Sequence, residues 1–210
     1  MSDLANSKGP MPFSLIKQLV TNGEIDKLVR SEEVMKEYTA HKEKFKKQGA
    51  DMITFILSRE LKWVPQDVPL NTPSEQLIEA FVKPADSRMF ANEADITIVQ
   101  NTFPYYVEPG VQHLCVWVKF PMPPDPQSDK GDISPKDKQL VEKYITNTFC
   151  NWLGIPRSDL VWFKNWTSLQ SVRSIPHIHV IIKDMDQDSL DKVLRTGGKA
   201  LNYGTEDCKL

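Results

Sequence analysis

The sequence predicts an α+β fold in which a mainly antiparallel sheet with packed helices follows an N-terminal helical region. Apolar residues recur at helical spacing through most of the first sixty positions, whereas short β-branched runs separated by loops dominate from residue 95 onward. One long helical pattern interrupts these runs, and the last run carries two alternating histidines. Helices and strands thus occupy separate parts of the chain, which is typical of the α+β class.

The N-terminal region, residues 1–74, is predicted to consist of helices. Leu15, Ile16 and Leu19 recur at helical spacing before a helix-ending Asn-Gly pair at 22–23. Ser31 stands before two glutamates and predicts the start of a second helix, because acidic residues favour helix N-termini. Two roles stay open for these helices: the first is to cover a pocket, and the second is to form a homodimer interface.

Two further features of this region are read from charge and hydropathy. The run 41–47 is highly charged and predicts a solvated helical face on which His41 is exposed. Residues 53–61 resume an apolar helical pattern. Three prolines between 65 and 74 then predict a connection to the second part of the chain.

The second region, residues 75–210, is predicted to hold one short helix over 74–82 and four strands. The strand segments are rich in Val, Ile and aromatic residues and lie at 95–100, 112–120, 160–165 and 177–182. In the second strand, His113 and Trp117 fall on one face. Ser134-Pro135 starts the long helix, Gly154 ends it, and 189–195 forms a last short helix.

The histidine strand is the clearest candidate for a functional site. His177 and His179 are two residues apart and therefore point to the same side, roughly 6.6 Å apart along the strand. Ile178 and Val180 point to the other side, into a core. Paired imidazoles suit proton transfer, attack on phosphorus or metal binding.

Composition excludes several classes of function. A net charge of −2 gives no basic signature, so we expect no nucleic-acid partner, and no apolar run is long enough for a membrane span. The cysteines are odd in number and lack metal-site spacing, which predicts reduced thiols in a cytoplasmic protein: Cys115, Cys150 and Cys208. The last three residues, 208–210, are close to a peroxisomal address and predict a peroxisomal pool.

The order of these elements resembles the histidine-triad (HIT) fold over about residues 95–183. The matching residues are Pro109-Gly110, Gln112-His113-Leu114, Trp152-Leu153-Gly154, Asn165, Ser174 and His177-Ile178-His179. The third histidine of that family is replaced by Ile181. The nucleotidyltransferase branch also lacks it, so the resemblance implies that His179 is the nucleophile and that His177 is its supporting neighbour.

A second resemblance covers nearly the whole chain. The segments 108–113, 161–166, 169–173 and 177–180 are similar to the fungal N-acetylglucosamine-induced protein 1 family, a domain of unknown function. This resemblance implies a biological setting, the response to N-acetylglucosamine, without implying a reaction.

Polar residues near the histidine strand complete the predicted site. Phosphate oxygens need donors, and those available here are Ser174, Arg173, Lys164, Gln170 and Asn165, with His113 and Trp166 as further substrate-binding candidates. Three functions stay open. The first is a histidine-dependent phosphoryl or nucleotidyl hydrolase or transferase that acts on a nucleotide, nucleotide sugar or sugar phosphate. The second is a non-catalytic protein that binds such a ligand, and the third is a zinc protein with three histidine ligands. The first two need no cofactor.

Overall fold

A computed structural model describes residues 9–204 and shows an α+β fold with a four-stranded antiparallel sheet and six α-helices. The predicted fold class is confirmed at this level. The helices are α1 (Phe13–Thr21), α2 (Glu32–Lys47), α3 (Met52–Phe55), α4 (Ser74–Phe81), α5 (Pro135–Ile145) and α6 (Gln187–Val193). The predicted peroxisomal address at 208–210 lies outside the described residues.

The sheet has the strand order β1-β2-β4-β3, and every neighbouring pair is antiparallel. Its strands are β1 (Ile96–Gln100), β2 (Val111–Val118), β3 (Leu160–Phe163) and β4 (His177–Lys183). The histidine strand is therefore central and is paired on both edges. Because side chains alternate along a strand, this register gives the sheet a mainly apolar face, with Gln100 and Gln112 at one end, and a face with histidines.

The apolar face packs on α5 and forms the largest core. Ile98, Val116 and Val180 from three strands are fully buried there against Tyr144 and Phe149. Ser134 caps α5 by accepting a hydrogen bond from the Asp137 amide, as the Ser-Pro start predicts. This core needs no polar partner, so it anchors the sheet while the opposite face remains available for chemistry.

The histidine face is covered by the N-terminal helices. α1 packs on one half of it, where Phe13 and Ile16 contact Ile181 and Val161. The segment from α3 through a π-helical turn (Ile56–Glu60) packs on the other half, against Trp117. Of the two roles left open for these helices, covering the histidine face is the one that the structure shows.

Helix α2 lies outside these two clusters and is mostly solvent-exposed, as its charge predicts. His41 differs from the expectation of an exposed side chain. It is half-buried, with its ring 4.7 Å from Phe45 and 5.3 Å from Phe103, measured between ring centroids. The sequence prediction was wrong here because the loop carrying Phe103 folds back onto α2, which the charge pattern of α2 cannot indicate.

Candidate functional site

The strand register brings three histidines together on one face of the sheet. Across the β2–β4 pair, Trp117 is opposite His177 and Cys115 is opposite His179. His113 is opposite Ile181, the position of the third histidine in the HIT pattern. The predictions that His177 and His179 share a face and that His113 and Trp117 share a face agree with this register.

Between the two helical covers, a cleft opens onto the histidines. The space between its walls is about 740 Å³, a volume that includes open solvent at the mouth of the cleft. The polar residues that line it are Arg30, Tyr38, His41, Glu60, Gln100, Asn101, Thr102, Cys115, Asn165, Ser171, His177 and His179. Apolar side chains, among them Phe55 and Val172, make up most of the remaining wall.

His177 presents a free ring nitrogen on this wall. Its Nδ1 lies 3.1 Å from the Ile175 carbonyl oxygen, which only accepts hydrogen bonds, so Nδ1 carries the ring proton. Nε2 therefore keeps a lone pair and has no hydrogen-bond partner within residues 9–204. The ring stacks on Trp117 with centroids 4.2 Å apart and is 7% exposed.

Burial keeps the His177 ring neutral. The pKa of His177 is lowered to about 4, and desolvation is the main cause. The hydrogen bond to Ile175 opposes this shift, and the nearby charge of Lys164 adds to it. At neutral pH the unprotonated ring is thus available as a base or as a nucleophile.

His113 and His179 instead form a closed chain of hydrogen bonds. The Tyr105 backbone amide, whose proton is fixed, donates to His113 Nδ1 at 3.2 Å. In a neutral ring the proton must then sit on His113 Nε2, which lies 3.0 Å from His179 Nδ1 and donates to it. The remaining proton of His179 is then on Nε2, which lies 3.2 Å from the Asn165 Nδ2 atom. An amide nitrogen cannot accept this proton, so we assign the Asn165 amide the opposite orientation, in which its oxygen takes this position and accepts.

This chain leaves His179 without a free nitrogen. Both of its ring nitrogens have protein partners, and the ring stacks on Phe163 with centroids 5.1 Å apart. Desolvation is the main cause of a lowered pKa in both rings. The pKa of His113 falls to about 3, and the pKa of His179 falls well below its ordinary value. Both rings are therefore neutral members of a buried polar network.

The same atoms resemble a metal site by distance alone. Ligand atoms of His113, Cys115 and His179 lie within 4.8 Å of one another, and all three residues are buried. A neutral histidine that binds a metal through Nε2 must carry its proton on Nδ1, yet the Tyr105 amide proton already points at His113 Nδ1. Burial also raises the pKa of the Cys115 thiol to about 12, so it is not a thiolate.

The proton positions therefore argue against zinc. Two ligand sets are in question: His113, Cys115 and His179, and the three histidines of the predicted zinc site. Both sets need His113 and His179, but His113 Nε2 donates its proton to the lone pair of His179 Nδ1, so these two atoms are not free to bind a metal. The Asn101 amide nitrogen also lies 3.2 Å from His113 Nε2, while its oxygen accepts from the Phe103 amide. No lone pair of His113 is directed at a common centre.

Two residues of the N-terminal region add charge to the cleft. Arg30 lies over the rings of Tyr105 and Tyr38, at 5.2 and 5.6 Å from their centroids, and its Nε donates to the Phe103 carbonyl. Glu60 lies at the end of the π-helical turn, and burial raises the pKa of its carboxyl against a weak hydrogen bond from Thr102. π-helical turns are frequent at functional sites.

The structure brings only part of the predicted site together. Asn165, His177 and His179 line the cleft, and His113 lies directly behind His179. The side chains of Arg173 and Ser174 are exposed and do not line it. Their role in binding substrate stays a prediction.

Three other predicted residues are placed near the site without lining it. Gln170 donates to the Asn165 carbonyl and so holds the segment that carries the Asn165 amide. Lys164 and Trp166 are buried, and Lys130 lies over the Trp166 ring. Their predicted binding role also stays untested.

Sequence reasoning missed the residues that come from the N-terminal helices and from the loop after β1, namely Arg30, Tyr38, Glu60 and Asn101. Only Glu60 left a signal, because it is an acidic residue in the otherwise apolar helical pattern at 53–61. The others carry no local pattern that distinguishes them from surface residues. No helix in the described part of the chain is long and apolar enough to cross a membrane.

Comparison with known proteins gives a family and a fold. The family described as "Protein of unknown function (DUF3605)" matches residues 12–183. The chain is 37% identical to "N-acetylglucosamine-induced protein 1" of Candida albicans, over 90% of this chain and 74% of that protein. It is 28% identical to the uncharacterized protein YPL067C of Saccharomyces cerevisiae, over 91% of this chain and 88% of that protein.

A solved structure supports the architecture. The crystal structure of HTC1 matches 91% of this chain and 99% of its own chain, with a TM-score of 0.67 and 23% sequence identity. At that identity the likeness shows the fold alone. The predicted resemblance to the N-acetylglucosamine-induced protein 1 family is confirmed, whereas the resemblance to the HIT fold stays a prediction.

Proposed function

Since this chain belongs to the DUF3605 family of proteins of unknown function, we propose a function from its own cleft: it binds a small phosphorylated molecule and uses His177 to transfer or hydrolyse a phosphoryl or nucleotidyl group. The observation that carries the proposal is the proton position on His177. Its Nδ1–H is held by the Ile175 carbonyl, so a neutral Nε2 faces the cleft with its lone pair free. That is the state in which imidazole attacks phosphorus.

The chemistry can be written with residues of the cleft. The Nε2 lone pair of His177 forms an N–P bond while the P–O bond to the leaving group breaks. The leaving oxygen takes a proton from Glu60, the acid of the cleft whose pKa is raised by burial. Water or an acceptor hydroxyl then attacks the phosphorus, breaks the N–P bond and returns its proton to Glu60. Arg30 supplies positive charge on the same wall.

The proposal keeps a HIT-like C-terminal region but changes the roles of its histidines. The order of strand, loop, strand, helix, strand and histidine strand supports the likeness. The resemblance assigns the attack to His179, but both nitrogens of that ring have protein partners. We assign the attack to His177, with His113 and His179 as a rigid layer beneath the cleft.

The ligand class follows from the polarity of the cleft. An arginine, amides and aromatic rings line it, and these groups suit a nucleotide, nucleotide sugar or sugar phosphate. The name of the Candida albicans relative connects that protein to induction by N-acetylglucosamine. Phosphates of this sugar and its nucleotide-activated form are therefore the first ligands to test.

A second candidate function is binding of the same ligand without catalysis. Ile181 occupies the position of the third histidine, and it is fully buried against α1. The cleft therefore lacks one group that would contact a phosphate or a leaving group. Binding without turnover would favour this candidate.

A ligand screen with two variants tests the proposal. Chelator-treated full-length protein is mixed with nucleotides, nucleotide sugars and N-acetylglucosamine phosphates, and both thermal stability and ³¹P NMR of the ligand are followed. At least one ligand is expected to stabilise the wild type and His177→Ala, and to be consumed by the wild type at a rate about 10²- to 10⁴-fold above that of the variant. Lys136→Ala, an exposed control on α5 outside the cleft, is expected to behave as the wild type.

Three results would contradict the proposed chemistry. Equal consumption by wild type and His177→Ala would remove His177 from the reaction. Stabilisation by a ligand that is never consumed would favour the non-catalytic candidate. No stabilisation by any ligand would contradict both candidate functions.

A further inference from the structure

A second cavity adjoins the histidine cleft. It encloses about 600 Å³ of space, part of it open to solvent, and Arg59 and Arg195 both line it. Glu60, Val99, Gln100 and Thr102 line this cavity and the histidine cleft alike, so the two share a wall. We call this second space the arginine cavity.

The two guanidinium groups of the arginine cavity are uncommitted. Within residues 9–204, neither the Arg59 nor the Arg195 side chain makes a hydrogen bond or an ion pair. The Arg59 Nη1 atom is moreover buried, away from water, with no acceptor. A buried donor without a partner is costly, and its presence beside a cavity indicates that an acceptor is missing.

The carboxylate nearest in sequence does not cancel this positive charge. Glu60 follows Arg59 directly in the π-helical turn, but its carboxyl accepts a hydrogen bond from Thr102 and forms no ion pair with either arginine. Burial, rather than a cation, dominates the pKa of Glu60 and raises it. The cavity therefore carries two guanidinium groups beside a carboxyl that is shifted toward its neutral form.

We propose that the arginine cavity binds a phosphate group of the molecule whose reacting phosphorus lies at His177, so that the ligand carries a diphosphate or two separate phosphates. Guanidinium groups recognise phosphate oxygens through paired, charge-assisted hydrogen bonds. Four residues line both cavities, which places the second phosphate of one ligand next to the histidine cleft in this proposal. This inference rests on the proposed function and narrows its ligand class to molecules with two phosphate groups.

Calorimetric titration of the full chain with inorganic pyrophosphate and with inorganic phosphate tests this site. Pyrophosphate is expected to bind the wild type at least about tenfold more tightly than phosphate, because its larger charge and additional oxygens can engage both guanidinium groups. Arg59→Met and Arg195→Met are each expected to weaken pyrophosphate binding about tenfold and to remove most of the preference over phosphate. Arg195 is exposed, so its substitution does not threaten the fold.

Two control variants distinguish binding in the arginine cavity from attraction of anions to surface charge and from the chemistry at His177. Lys136→Met removes an exposed cation of α5 outside both cavities and is expected to keep wild-type affinity within twofold. His177→Ala is expected to retain binding that depends on Arg59 and Arg195. Unchanged turnover in His177→Ala with such binding intact would therefore count against the proposed chemistry and not against the arginine cavity.

Three outcomes would overturn the inference. The first is no binding of pyrophosphate at millimolar concentration. The second is unchanged affinity in both Arg59→Met and Arg195→Met. The third is an equal loss in Lys136→Met, which would show a general attraction of anions to surface charge.

Discussion

Acidification from about pH 7 to about pH 4.5 is expected to unfold this protein, at a pH where carboxylates are still largely ionised. The cause is the buried layer of His113, His177 and His179, because desolvation lowers the pKa of all three rings. In the unfolded chain each ring regains an ordinary pKa near 6.5. The unfolded state therefore binds more protons than the folded state over this interval.

The sign and size of the effect follow from proton linkage. Stability is complete above about pH 6.5 and is lost as the pH falls toward the folded values, about 4 for His177 and about 3 for His113. Each proton bound only by the unfolded chain lowers the free energy of unfolding by about 1.4 kcal/mol per pH unit, so three rings lower it by about 4 kcal/mol per unit. Between about pH 6.5 and about pH 4.5 the loss reaches about 8 kcal/mol, which exceeds the stability of a domain in the lower part of the usual range of about 5–15 kcal/mol.

Urea denaturation at half-unit steps of pH measures this slope. His177→Gln is expected to reduce it by about one proton, that is by about 1.4 kcal/mol per pH unit, since two of the three rings remain. A free energy of unfolding that stays constant between about pH 7 and about pH 4.5 would show that these histidines are not held neutral by burial.

His179→Ala is expected to destabilise the fold by about 3–5 kcal/mol. The substitution leaves His113 Nε2–H without its acceptor and the Asn165 amide without its donor, both in buried positions. It also removes a ring that stacks on Phe163. Unsatisfied buried groups and a new cavity both add to the cost.

His177→Ala is the matched control, because it makes the same change on the same strand and the same face. His177 has one hydrogen bond, to the Ile175 carbonyl, and its other nitrogen faces the cleft. We expect a loss of about 1–2 kcal/mol, clearly smaller than that of His179→Ala. Equal losses, or the reverse order, would contradict the assignment of a structural role to His179 and an open one to His177.

Much of the fold was predictable because the relevant signals are local. β-branched runs and their loops identify all four strands, and Ser134-Pro135 and Gly154 delimit the helix that covers the apolar face. Alternation along the strand was enough to place His177 and His179 on one side. These features depend on period and turn chemistry, which a single sequence displays.

The cleft was less predictable because it is assembled from distant segments. Arg30 and Glu60 reach the histidines only through the packing of α1 and the π-helical turn on the sheet, and a π-helical turn has no recognisable spacing. The roles of the histidines were also hidden. They depend on the backbone amide of Tyr105, a loop residue, whose proton sets the direction of the hydrogen bonds.

Long-range ¹H–¹⁵N NMR of the histidine rings at pH 7 tests most directly the claim that one neutral imidazole faces the cleft with a free nitrogen. The signals are assigned with single His→Gln variants. The hydrogen-bond pattern predicts three neutral rings, with the proton on Nδ1 of His177 and on Nε2 of His113 and His179. A protonated His177 ring, or a His177 proton on Nε2, would contradict the proposed role of this residue.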